Sequence, residues 1–152
     1  LGIHFYVSSG FEAERAILAG IPPCNLSLSS QELPMYSQFK KLINLGVNFN
    51  ACSLHQLESY GKLIESNRKE GICTDSKGVM NGECGIRFNP GKGSGGNGKT
   101  NVGGPSSSFG VWYSLKNKCK DIALKYNINI IRIHTHIGSG SDPNIWKSCA
   151  GK

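Results

Sequence analysis

Three observations in the amino-acid sequence predict an α/β protein made of successive parallel βα units. Short runs rich in β-branched and aromatic residues alternate with longer stretches whose apolar residues recur at helical spacing. Serine followed three residues later by Glu or Gln, the spacing of a capping box, opens three of those helical stretches, at Ser9/Glu12, Ser29/Glu32 and Ser53/Gln56. The last strand, within Ile128–Gly140, runs through Ile128, Ile130, Ile131 and Ile133 and ends in two histidines and a small-residue turn. Alternation of this kind implies right-handed βαβ connections. An open doubly wound sheet and part of a (β/α)8 barrel satisfy it equally, because a complete barrel takes roughly 250 residues and the chain has 152.

In order, Gly2–Ser9 predicts a strand and the residues through Ala19 a helix, stopped by Gly20 and kept stopped by Pro22 and Pro23. Asn25–Ser30 predicts a second strand, and Met35–Leu45 a helix with Met35, Phe39, Leu42 and Ile43 on one face, ending at Gly46. Val47–Ala51 gives a third strand, and Leu54, Leu57, Leu63 and Ile64 give the following helix its apolar face. Ser66–Gly82 is polar and predicts a surface loop. Gly85–Asn89 is a fourth strand, Pro90–Gly110 a Gly-rich loop, and Val111–Tyr126 a basic amphipathic helix. The isoleucine run reads as a fifth strand buried on both faces. Asp142 then caps a helix with Pro143 at its first position.

Composition narrows the function. At 38% hydrophobic residues the chain builds one modest core, a single domain over residues 1–152. It has no apolar run long enough for a transmembrane helix, and Leu1 onward lacks the pattern of a signal peptide. An opening without Met, directly into a strand, suggests an excised segment. The net charge is +7, but the basic residues are dispersed over helix surfaces without aromatic interleaving, which argues against a nucleic-acid partner. Six cysteines at irregular spacing, with no C-x-x-C, predict no metal site and a reducing, cytoplasmic compartment.

Two stretches carry chemistry. His134 and His136 fall on the same side of the last strand by alternation, followed by Gly138, Ser139 and Gly140. Glycines at a strand's C-terminal end expose N–H groups, Ser139 adds a hydroxyl for a phosphate, and an imidazole can lie flat on an aromatic ring; the plainer alternative is two ordinary polar residues. Gly93–Thr100 (GSGGNGKT) matches the P-loop pattern, with Lys99 on the phosphates and Thr100 on magnesium. A P-loop needs a helix to begin at Lys-Thr, and Asn101-Val102-Gly103-Gly104-Pro105 forbids one, so a nucleotide-binding module is disfavoured.

HTHIGSG resembles the H-x-H-I/V-G-S-G/Q segment of the group III pyridoxal-phosphate decarboxylases, the alanine-racemase-like barrels, and is most similar to its diaminopimelate decarboxylase branch. Asn89–Tyr113 resembles that branch's N-P-G…K-T-N-x-G-G…S-K-F/H-G-I-W-Y segment, and VSSGFEAERAILAGIPP and VNFNACSLHQLESYGKL match further segments in the same order. The likeness covers nearly the whole chain apart from Ser66–Gly82. It implies a partial (β/α)8 barrel of about five units, spanning what would be the second to sixth strands, with pyridoxal 5'-phosphate as cofactor. It further implies a homodimeric parent enzyme that decarboxylates meso-diaminopimelate to L-lysine; ornithine, arginine or carboxynorspermidine is the alternative substrate. By the same resemblance His136 stacks on the cofactor ring, and Ser139 with Gly138 binds its phosphate. His134 and Asn89 stand behind them, while Lys99, Thr100, Asn101, Ser107 and Phe109 belong to a lid loop. Tyr6 replaces a usual Asp, Ser108 a usual Lys and Phe11 a common Gly. The Schiff-base lysine (Y-A-x-K-A) is expected before Leu1, and no lysine here holds the matching place, so the 152 residues alone are expected to be inactive.

Overall fold

A computed structural model describes residues 3–72, 82–92, 104, 107–138 and 142–151. Its elements run β1 (Phe5–Val7), α1 (Gly10–Leu18), β2 (Leu26–Leu28), α2 (Tyr36–Asn44), β3 (Asn48–Ala51), α3 (Leu54–Lys69) and β4 (Glu83–Asn89). They continue with β5 (Val111–Trp112), α4 (Lys116–Tyr126), β6 (Asn129–His134) and α5 (Pro143–Ala150). Every described strand pair is parallel; the order is β1-β2-β3-β4-β5, with β6 also on β4.

One local device produces the repeating units. At the ends of α1, α2 and α3 a glycine in the left-handed region (Gly20, Gly46, Gly71) closes the helix, and Asn127 at φ 50° does the same for α4. In each case the next residue's N–H reaches back five residues: Ile21 to Ala16 O, Val47 to Leu42 O, Ile72 to Asn67 O and Ile128 to Ala123 O. This Schellman closure satisfies the last carbonyls and reverses the chain.

The helix-side face of the sheet is apolar. Leu26, Leu28, Phe49, Cys84 and Ile86 pack under Leu42, Ile43, Leu57, Tyr60, Leu63 and Ile64. Phe49 sits edge-on to Phe39, with ring centroids 4.9 Å apart, and stacks on Tyr60 at 5.4 Å. The Tyr60 hydroxyl donates to Glu83 O at 2.8 Å, so its polar tip is satisfied inside the core.

Several expectations change. Ser9 and Ser53 do cap their helices, accepting from Glu12 N and Gln56 N. The return bonds, however, go one residue earlier, from Ser8 N to Glu12 and from Cys52 N to Gln56. Ser29/Glu32 caps nothing: α2 begins at Tyr36, after Pro34, and the Ser29 hydroxyl is engaged by Cys52 and His134. The helix expected from Val111 begins at Lys116, because Val111 and Trp112 pair with Phe88 and Asn89 as an extra strand. The loop expected from Ser66 begins after Lys69, since Arg68 donates at 2.7 Å to Tyr126 O and to Asn127 O and extends α3. Asp142 caps α5 as expected, accepting from Asn144 N.

The isoleucine strand is not buried on both faces. Ile131 is 51% exposed and Ile133 79% exposed. The register skips from Cys84↔Ile130 to Gly85↔Arg132, so Ile131 is bulged out of the ladder. The bulge puts Arg132 and His134 on the face opposite the core, across from Gly85 and Arg87.

Candidate active site

Because the described strands are parallel, their C-terminal ends gather on one rim, where α/β proteins place their chemistry. A cavity of about 350 Å³ opens there. Tyr6, Val7 and Ser8 border it from the end of β1, Ser29 from the end of β2, Arg87 from β4, and His134 and His136 from the end of β6. Both sequence-predicted histidines therefore reach one site.

Their roles differ. His134 is half-buried: its ring stacks on Tyr6, with centroids 5.1 Å apart and planes 23° from parallel, and its Nδ1 lies 3.3 Å from Ser29 Oγ. Burial, reinforced by the positive charge of Arg87 and by His136, pushes its pKa down to about 4, so the ring is neutral at pH 7. His136 is exposed and leaves its ring free for a ligand. Ile137 behind it is fully buried and Gly138 takes φ 117°, a turn available to glycine. Ser139, Lys99, Thr100 and Asn101 lie outside the described residues.

Asn89 does not border the cavity; it fastens the neighbouring loop. Its Nδ2 donates to Gly104 O at 3.2 Å and Ser107 O at 3.3 Å, and its Oδ1 accepts from Gly91 N at 2.9 Å. Ser107 Oγ accepts from Phe109 N, and the Phe109 ring lies 5.1 Å beneath the Arg87 guanidinium. The loop is thus tied to the rim through Asn89 and Arg87.

Of the residues that border the cavity, Arg87 was not singled out from the sequence, Tyr6 was noted only as a departure from the family pattern, and Ser29 only as a helix cap. Arg87 had a signal: in GIRFN it alternates with Ile86 and Phe88, which places one cation on the non-core side. It makes no ion pair with a described carboxylate. Glu12 also borders the cavity, but its carboxylate is committed to Ser8, which holds its pKa below the ordinary range.

The parallel β/α rim thus brings together an exposed imidazole and a guanidinium with no ion pair among the described residues, groups whose chemistry suits an anionic, ring-bearing ligand. The chain belongs to the family described as pyridoxal-dependent decarboxylase, pyridoxal binding domain, whose model matches residues 1–147. It is 33% identical over 130 residues to a diaminopimelate decarboxylase of Buchnera aphidicola subsp. Schizaphis graminum, covering 85% of this chain and 27% of that protein. A crystal structure of a diaminopimelate decarboxylase superposes with a TM-score of 0.71 at 28% identity, over 91% of this chain and 30% of that one. The Helicobacter pylori diaminopimelate decarboxylase complexed with L-lysine gives 0.75 at 21% identity, over 97% and 38%, a likeness of fold. The described units are therefore a partial barrel, and the chain spans about three tenths of the length of such relatives.

The residues fit the cofactor that the family name specifies. Pyridoxal phosphate is a flat ring bearing an anion, and the cavity offers the exposed His136 ring, the unpaired Arg87 charge and a volume of about 350 Å³, within the usual range for small-molecule sites.

Proposed function

We propose that residues 1–152 are one domain, part of the pyridoxal-binding barrel of an enzyme that decarboxylates meso-diaminopimelate to L-lysine. The observation that carries this reading is the convergence of His134, His136 and Arg87 on one cavity at the C-terminal rim, in a chain of this family. Bound pyridoxal phosphate supplies an electron sink for the carbon that loses carbon dioxide. By the family resemblance His136 would lie against the cofactor ring, and Ser139 and Gly138 would hold its phosphate. Arg87 contributes positive charge where the ligand carries negative charge, held in place by Phe109. His134, neutral and clamped between Tyr6 and Ser29, walls the cavity without adding a second charge. Asn89 keeps the adjoining loop, with Ser107 and Phe109, on the rim; the assignment of Lys99, Thr100 and Asn101 to the same lid rests on the family resemblance alone.

The whole enzyme is proposed to be a cytoplasmic homodimer with an amino-acid substrate and no nucleic-acid or membrane partner. The homodimer rests on the family resemblance. The free thiols of the five described cysteines support a reducing compartment, and among the described residues no helix is long and apolar enough to cross a membrane.

Phosphorus NMR of pyridoxal phosphate titrated with the protein tests the reading. Saturable broadening should appear and weaken about tenfold in His136→Ala, the size of one lost ring contact. Binding unchanged in His136→Ala and Arg87→Gln together would refute it.

A further inference from the structure

The face of the sheet away from the helices holds a second cationic group, separate from the cavity. Arg132 lies on β6 opposite Gly85, two residues before His134 and so one layer deeper than the rim. Its Nη1 donates to Asn48 Oδ1 at 2.9 Å. Asn48 is itself oriented, its Nδ2 donating to Cys24 O at 2.8 Å and Leu26 O at 3.1 Å. The other edge of the guanidinium, Nε and Nη2, is buried and has no hydrogen-bond partner. Beside it Asn50 is 1% exposed, and neither its Nδ2 nor its Oδ1 is bonded. Gly85 completes the arrangement, because a Cβ there would collide with Asn50 Oδ1.

A buried guanidinium edge and a buried amide left unpaired each cost stability. No described carboxylate forms an ion pair with Arg132. Cys84 and Tyr60, the acidic groups that feel its charge, do not supply the anion: burial pushes the Cys84 thiol up to about 12 and keeps the Tyr60 hydroxyl protonated. Nε and Nη2 form the edge of an arginine that grips a carboxylate with two parallel hydrogen bonds.

We propose that Arg132 and Asn50 form a carboxylate-binding site inside the sheet, beneath the cofactor cavity and independent of it. Arg132 takes both carboxylate oxygens through Nε and Nη2, and Asn50 Nδ2 donates to one of them. Two sources share this chemistry: an acidic side chain from a longer chain that contains these residues, or a free small carboxylate.

The test is nitrogen-proton NMR of the arginine Nε–H, with formate as probe and chloride at equal ionic strength as control. In the 152-residue chain formate should shift the Arg132 Nε–H signal and the Asn50 amide pair saturably, and Arg132→Lys, which keeps the charge but loses the fork, should weaken binding about tenfold. In a longer natural chain carrying the segment, a signal already shifted and indifferent to formate identifies an acidic side chain as the occupant; a signal that still titrates identifies a free carboxylate. Stability gives a second readout. Arg132→Met should raise the urea midpoint when no carboxylate is present and lower it when formate or the longer chain is. An Nε–H that responds to formate no more than to chloride in the short chain, while exchanging with water as fast as free arginine in the longer one, would overturn the proposal. A rise in midpoint with Arg132→Met under every condition would do so too. Neither result bears on pyridoxal phosphate, whose contacts lie at His136 and Arg87.

Discussion

The two faces of this sheet are made from the same strands, yet they solve opposite problems. On the helix side Leu26, Leu28, Phe49, Ala51, Cys84 and Ile86 are buried against helices. On the other side the alternate positions carry Ser27, Asn48, Asn50, Arg87, Arg132 and His134, and buried donors there lack partners. A barrel interior is ordinarily filled with branched apolar side chains. The helix-side face is where folding free energy is gained, and the polar face is where it is given up for recognition, as functional sites generally require.

The largest test of this contrast is a matched pair. Phe49→Ala should cost about 3–5 kcal/mol, because it opens a void between Phe39 and Tyr60 in the closed core. Asn50→Leu, the next residue along and on the opposite face, should be neutral or stabilising, because it removes two unbonded polar atoms. Urea unfolding of both variants checks the pair, and equal losses would erase the distinction between the faces.

Next in size is Gly61→Ala, expected to cost about 1–3 kcal/mol by overpacking. A Cβ there would press on the Tyr126 ring where α3 meets α4. Gly20→Ala, where nothing lies within 4 Å, should lose only the smaller cost of a left-handed backbone, roughly 1 kcal/mol. Thermal melts of the two variants separate crowding from backbone strain.

A pH effect comes third. His134 is held down to about 4 in the folded chain against an ordinary value near 6.5. The unfolded chain therefore binds more protons between those values, so stability is full above about 6.5 and is lost as pH falls toward 4. Glu12, also depressed, adds to the loss at the acid end. The urea midpoint of the parent chain should fall across this window, and His134→Gln should flatten the upper part of the fall. The smallest effect belongs to Tyr6→Leu, which removes the stack on His134 at a cost of about 0.5–1.5 kcal/mol and raises the imidazole pKa as water reaches it. Proton NMR of the His134 ring reads that shift.

Most of the helix-side face was legible in the sequence, because apolar period and glycine stops record burial and chain reversal directly. The strands before and after α1, α2 and α3 fall where β-branched and aromatic runs placed them, and Ser9, Ser53 and Asp142 cap as their spacing implied. What escaped were features set by tertiary partners. Val111–Trp112 is too short to announce itself and exists because β4 has free backbone groups at Phe88 and Asn89. Ser29 looked like a cap but bonds a histidine 105 positions away. The isoleucine run looked wholly buried because composition does not show the bulge at Ile131. Within the site the two histidines were visible as a motif; Arg87 went unnoticed although its alternation with Ile86 and Phe88 marks it, and the Tyr6 stack exists only once β1 and β6 share a rim.

The central claim is that the C-terminal rim, and not the loop Gly93–Thr100, receives the phosphorylated ligand. Titration of the isotope-labelled protein with pyridoxal phosphate, followed by the ring and guanidinium signals of His136, Tyr6 and Arg87, tests it most directly. These three should shift together and saturate with one dissociation constant, and borohydride should then fix no label on the lysines of the described residues, none of which borders the cavity. Stationary signals at all three, with binding abolished by Lys99→Ala, would contradict the account and move the site to the glycine-rich loop.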